Sequence, residues 1–165
     1  MDTFSQDMIR VALVGAGATA VMDAWLMLLR RAGIPTLNFA MLGRWTGHAM
    51  RGRFRHQPIA KSPPIPGELA LGWAAHYVTG IVFEAALALL VGTSWMQSPT
   101  FAPALAFGLA TVAVPLFLLQ PALGSGVAFS KTTAPAMNCL RSVVNHAVFG
   151  SGLYLAALTL ERSFS

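Results

Sequence analysis

Residues 30–68 read RRAGIPTLNFAMLGRWTGHAMRGRFRHQPIAKSPPIPGE. Seven of the chain's eleven Lys and Arg residues fall here: Arg30, Arg31, Arg44, Arg51, Arg53, Arg55 and Lys61. His48 and His56, two of the four histidines, fall here too. On either side the chain is apolar for long runs. A basic segment of this length cannot enter lipid, so it separates two membrane crossings and sets how the protein sits in a bilayer.

Composition agrees with that reading. The chain has 165 residues, enough for a single membrane domain, and is 55% hydrophobic and only 10% charged. Its mean hydropathy is +0.61. Soluble domains carry about 25% charged residues, so too little polar surface exists here to coat a water-soluble globule. The net charge of +5 is concentrated rather than spread. A basic chain can point to nucleic acid. Here the cluster lies between apolar runs, so the expected partners are anionic lipid headgroups and not nucleic acid. Arg51, Arg53 and Arg55 are the expected headgroup contacts. Cys139 is the lone cysteine, which excludes an intramolecular disulfide and a Cys-based metal site.

Four apolar runs approach the roughly 20 residues that a helix needs to cross the hydrocarbon core: 8–29, 69–91, 101–119 and 136–160. The loops between them on the basic side are 30–68 and 120–135. The expected fold is all-α: an integral membrane bundle of four transmembrane helices, with a short interfacial helix over 37–48 in the first loop. Gly33 and Pro35 end the first span. Glu68 suits the positive end of the second helix. Pro115 is expected to kink the third. The 94–100 connection reads as a short uncharged turn.

Three look-alikes are rejected. Ala18-Thr19-Ala20 imitates a signal-peptide cleavage site, but the tail before it holds Asp2 and Asp7 against one Arg, and the apolar run continues past it. The glycines of 11–20 imitate a dinucleotide-binding turn, but no acid follows about 20 residues on and no βα alternation appears. A better account is a small-residue helix face of Ala12, Ala16, Thr19, Ala20 and Asp23, of the kind that lets membrane helices approach closely. Gly124-Ser-Gly126 with Ser130-Lys131-Thr132 resembles a phosphate loop, but the spacing is wrong and no strand precedes it.

Counting Lys and Arg gives the orientation. The two loops hold eight, against Arg10 and Arg162 at the opposite helix ends. The expectation is a multi-pass inner-membrane protein with the long basic loop cytoplasmic and both termini outside.

Ionisable groups at membrane depth are costly and usually face the bundle interior. At 1.5 Å per residue, Asp23 and His76 lie about 10 Å from their cytoplasmic helix ends, Arg141 about 8 Å and His146 about 15 Å, while Glu84 falls deeper. Fourth-residue stripes run through Gly72, His76, Gly80 and Glu84, and through Asn138, Ser142, His146, Gly150 and Tyr154. Asn145, four residues after Arg141, is expected to bond to it. Asp23 and Arg141 can form a structural ion pair.

Three sharper readings use these groups. The first is an ion, proton or small-solute pathway through Asp23, His76, Glu84 and His146. The second is a metal site of Asp23, His76 and His146, which lacks any H-x-x-x-H or H-E-x-x-H spacing. The third is a haem between His76 and His146, with Arg141 near a propionate. No cofactor is established by the residues, and they lean away from an enzyme. A non-catalytic helper that pairs with another membrane protein or with a second copy is the alternative from another class.

Several strings, taken in order, resemble a known family. They are Gly17-Ala-Thr-Ala-Val-Met-Asp23-Ala-Trp25, Gly43-Arg-Trp45-Thr-Gly-His48, Arg51-Gly-Arg-Phe-Arg-His56 and Gly72-Trp-Ala-Ala-His76-Tyr77. Gln120-Pro-Ala-Leu-Gly124-Ser-Gly126, Ser130-Lys131-Thr132 and Arg141-Ser-Val-Val-Asn-His146 to Tyr154 complete the set. The family is a bacterial membrane-protein family known as domain of unknown function 2938. The resemblance covers nearly the whole chain and implies a small multi-span inner-membrane protein, with no assigned activity. The positions it matches are Asp23, His48, His56, Glu68, His76, Lys131, Arg141 and His146; Met50 departs from a more usual proline. The resemblance is densest in the basic loop. A loop serving topology alone needs charge but no particular His48 or His56, which makes His48, His56, Glu68 and Lys131 loop-site candidates.

Overall fold

The computed structural model describes residues 3–164; Asp2 of the acidic tail and Ser165 lie outside the described residues. Among the described residues no strand forms. The main helices are α1 (Thr3–Arg31), α2 (Phe39–Ala49), α3 (Glu68–Val91), α4 (Phe101–Ala110), α5 (Gln120–Leu123) and α6 (Pro135–Phe164). Four helical stretches are long and apolar enough to cross a membrane: Phe4–Arg31, Glu68–Val91, Phe101–Leu123 and Pro135–Ser163. Even the shortest, at 23 residues, reaches about 35 Å. Their outward side chains include Leu13, Leu28, Val82, Leu89, Leu118 and Leu155, all exposed. Apolar surface of this kind has lipid as its solvent, and the protein is a multi-pass membrane protein.

The chain divides into two compact units. The first comprises 1–35, 77–110 and 145–165, and so holds parts of all four spans. Its core joins Val11, Val14 and Ala18 of α1, Leu87 and Ala88 of α3, Ala104 of α4 and Phe149, Leu153 and Ala157 of α6. Trp95 and Met96 also enter it. The 93–97 connection is a 3₁₀ turn that buries Trp95 and Met96 while Ser94 and Gln97 stay exposed. Glycines set how closely the helices meet. A Cβ on Gly15 would lie 2.6 Å from Ile81 Cα, and one on Gly80 would overlap the Thr19 hydroxyl. A Cβ on Gly152 would lie 2.9 Å from the Ala18 carbonyl, and one on Gly150 2.7 Å from the Ala104 carbonyl. Without an aqueous hydrophobic drive between lipid-solvated helices, such close backbone packing is a main source of association.

The packing face of α1 differs from the expected one. Val11, Val14, Gly15, Ala18 and Thr19 are buried, Ala12 and Ala16 half-buried and Ala20 exposed. The face is turned because Gly15 and Ala18, the points of closest backbone approach, select it over the alanines beside them.

The second unit comprises 36–76 and 111–144. The third span breaks after Ala110 and runs as a π-helix over Pro115–Leu119, with Gln120 N–H bonded to the Pro115 carbonyl. Proline lacks the N–H that an α-turn needs, and the widened turn is the expected kink. The short helix expected in the first loop forms as α2. Asn38 caps it by accepting from Met41 N–H at 3.2 Å.

Candidate functional site

The second unit is assembled where α2 crosses the start of α3. Gly43 and Gly72 face each other there. A Cβ on Gly43 would overlap the Glu68 carbonyl, and one on Gly72 would overlap the Phe39 carbonyl. Phe39 stacks on Trp73 with ring centroids 4.0 Å apart, and His76 packs against the same Phe39 ring at 5.0 Å. This crossing delivers Arg44, the residue after Gly43, to Glu68.

Arg44 Nε and Nη2 donate to the two Glu68 oxygens, each at 2.8 Å. The fork geometry matches a carboxylate and holds it in one orientation. Nη1 donates to the carbonyls of Ala60 at 3.3 Å and Ser62 at 3.2 Å. Glu68 also accepts from Ile65 N–H at 3.1 Å. Hydrogen bonding to Glu68 holds the Arg44 guanidinium above its already high range. Arg44 therefore serves as a fixed cation that folds 60–68 back onto α2.

The two loop histidines are buried. His48 Nε2 lies 3.0 Å from the Pro63 carbonyl. His56 Nε2 lies 3.1 Å from the Arg53 carbonyl, and its Nδ1 2.7 Å from the Ser62 hydroxyl. A carbonyl oxygen can only accept, so both Nε2 atoms donate, and the Ser62 hydroxyl is free to donate to His56 Nδ1. The two rings sit 5.1 Å apart. Trp45 Nε1 donates to the Phe54 carbonyl at 3.0 Å. These contacts explain why a loop with this much charge is folded.

The second loop closes against the first. His56 N–H donates to the Ala122 carbonyl at 2.9 Å. Gly124, at φ 92°, has room for no side chain: a Cβ would lie 2.6 Å from the His56 carbonyl. Between the loops lies a cleft of about 810 Å³. Arg53, Arg55, Lys61 and Lys131 line it, with Ser62, Ser130, Gly124 and Gly126 among the other walls, and among the described residues no acid does. Four cations, hydroxyls and close backbone around an open space suit an oxyanion carrying more than one negative charge.

Among the candidates named from the sequence, Arg53, Arg55, His56 and Lys131 meet at this cleft. Arg51 is exposed beside it in sequence and is not part of its lining. His48 and Glu68 act one step away, through the fold of the loop. Lys61, Ser62 and Ser130 also join the lining, brought there by the fold of the two loops. The glycines and Lys131 of the rejected phosphate-loop pattern do line a site suited to an anion, although they form no phosphate loop.

The membrane-depth candidates are divided between the units: Asp23, Glu84, Asn145 and His146 in the first, His76 and Arg141 in the second. Asp23 accepts a hydrogen bond from the Tyr77 hydroxyl, a partner with no spacing signal. Asn145 does not serve Arg141; its Oδ1 accepts from Trp25 Nε1 at 3.0 Å. Trp25 lies on another helix, and a side-chain bond across helices competes successfully with the i, i+4 alternative. Arg141 Nη1 donates to Asn138 Oδ1 at 3.5 Å, one turn earlier on α6. Glu84 is fully buried. Among the described residues, no three His, Cys, Asp or Glu side chains gather in a way that would hold a metal ion.

No curated protein and no solved structure matches the chain. One family model matches residues 12–160, a stretch that holds both loops, their cleft, the second and third spans and most of the first and fourth. The chain thus belongs to the family described as protein of unknown function (DUF2938).

Proposed function

We propose that this multi-pass membrane protein binds a phosphate-bearing anion in the cleft between its two basic loops, at the cytoplasmic face of a bacterial inner membrane. The observation that carries the reading is the lining itself: Arg53, Arg55, Lys61 and Lys131 converge on one open space that no acid among the described residues borders. The positive-inside count supports the orientation, since loops 30–68 and 120–135 hold eight of the eleven Lys and Arg residues. Met50 and Phe54 are exposed next to the arginines, which suits a loop resting at the headgroup level. The ligand is either a lipid headgroup or a soluble phosphate ester of the same chemistry.

The solute path and the metal and haem readings have less behind them. Asp23 is engaged by Tyr77, and His76 packs on Phe39. Both side chains thus have roles in packing the helices.

Binding to protein in nanodiscs of zwitterionic lipid tests the reading, with inorganic phosphate and glycerol phosphate as soluble probes and phosphatidylglycerol-containing discs as the lipid arm. Arg55→Ala and Lys131→Ala are each expected to weaken binding about fivefold, and raised salt to weaken it further. Binding in the soluble arm alone identifies a solute, and in the lipid arm alone a headgroup. Wild-type affinity in both variants would overturn the proposal. For the orientation, a reporter fused after Ser165 is expected to read periplasmic; a cytoplasmic reading would reverse it.

A further inference from the structure

Glu84 lies within the second span, seven residues before its end at Val91 and hence about 10 Å from it. Its residue exposure is 0%. Neither carboxyl oxygen has a hydrogen-bond partner in the protein. Apart from Glu84, the one buried polar side chain described in this unit is Thr19, whose hydroxyl donates to the Gly15 carbonyl at 2.8 Å; the core is otherwise apolar, with Val14 and Ala18 on α1, Leu87 and Ala88 on α3, Met96 in the 93–97 turn and Leu153 on α6. The charged and titratable side chains on the parts of the helices that build this unit are Asp7, Arg10, Asp23, Arg30 and Arg31 on α1, Tyr77 on α3 and His146, Tyr154, Glu161 and Arg162 on α6. None of them bonds to Glu84. Segments 93–97 and α4 contribute no such group.

A carboxylate without counter-charge or donor is poorly tolerated in such a place, whereas the neutral acid is accepted. A polar residue that served only packing would be expected to have a partner. A neutral acid in an apolar core stores one transferable proton. We infer that Glu84 is a reversible proton-binding site inside the membrane span. In the step, the O–H bond of the acid breaks, its electron pair stays on the carboxylate oxygen and water entering the core takes the proton as hydronium; the return step reverses this. The site is separate from the anion cleft, and its test does not depend on that reading.

Infrared spectroscopy of the full chain in lipid tests it. Wild type is expected to show the carbonyl band of a protonated carboxylic acid that shifts on transfer to heavy water. The band should be lost in Glu84→Gln and regained in Glu84→Asp. A band unchanged by Glu84→Gln, or one that never shifts in heavy water, would overturn the inference. The wild-type chain alone provides a second measurement, which stands even where the variant fails to fold. Dicyclohexylcarbodiimide is apolar and adds the protonated acid across one of its C=N bonds, with no leaving group, and the adduct rearranges to a stable N-acylurea. Mass spectrometry is expected to place that adduct on Glu84, less as pH rises. Labelling that misses Glu84 counts against a protonated acid there.

Discussion

Gly43→Val is expected to abolish anion binding at the cleft without touching any residue that lines it. A single Cβ at this position already overlaps the Glu68 carbonyl, and Gly72 N lies 2.6 Å away. Those neighbours are backbone, so they cannot rotate out of the way as a flexible side chain would. The only relief is for α2 to withdraw from α3. Arg44 is the next residue, and withdrawal takes it off Glu68 and off the carbonyls of Ala60 and Ser62. The 60–62 segment is then untethered, and Lys61 leaves the cleft wall. Overpacking of this kind costs about 3 kcal/mol, near the upper end of the usual range. The measurement is thermal unfolding in detergent together with phosphate binding in nanodiscs. Arg44→Ala removes the same tether without the steric clash, so it should lose binding with a smaller fall in melting temperature. Wild-type binding in Gly43→Val would show that the crossing does not position the cleft.

Gly150→Leu should have an effect of similar size in the other unit. Its Cβ alone would lie 2.7 Å from the Ala104 carbonyl, 3.0 Å from Leu105 Cα and 3.2 Å from Gly108 Cα. A leucine adds three more carbons at a point where α4 and α6 touch through backbone. The cost is again on the order of 3 kcal/mol, and it falls on helix association rather than on helix formation. Leu155→Ala, on an exposed apolar position of the same helix, is expected to change stability by about 0.5 kcal/mol or less. Comparable melting temperatures for the two variants would refute close packing at Gly150. The cleft belongs to the other unit, which makes its binding a separate readout.

How much of this was legible in the sequence depends on the range of each interaction. Spans follow from local hydropathy, and all four appear within a few residues of their expected ends. The interfacial helix expected at 37–48 forms at Phe39–Ala49, because Asn38, a capping residue, and Ala49 before a Gly-containing turn are local signals. Pro115 disrupts the third span for a reason carried by one residue. Partners across the chain left no such trace. Trp25 meets Asn145 over 120 positions, and Arg44 meets Glu68 over 24. Spacing rules describe neighbours one turn apart and are silent on these. The Gly124–Lys131 stretch is a different case: it resembles a phosphate loop in its residues but not in its spacing, and Gly124, Gly126, Ser130 and Lys131 line the cleft all the same. Its carbonyls and side chains are positioned by the loop facing them, which no local pattern encodes.

The bond from His56 N–H to the Ala122 carbonyl has a consequence for the path of the chain. In a bilayer, two backbone groups 2.9 Å apart and outside the lipid share one side. The chain between them, through α3 and the third span, must therefore cross an even number of times. Parity of this kind forbids any topology in which only one of those two helices is transmembrane, and it does so without reference to charge. A topology derived from charge counts alone is vulnerable to a few substitutions. The hydrogen bond holds the two loops together, so reversing the charge bias would be expected to invert the protein as a whole without separating them.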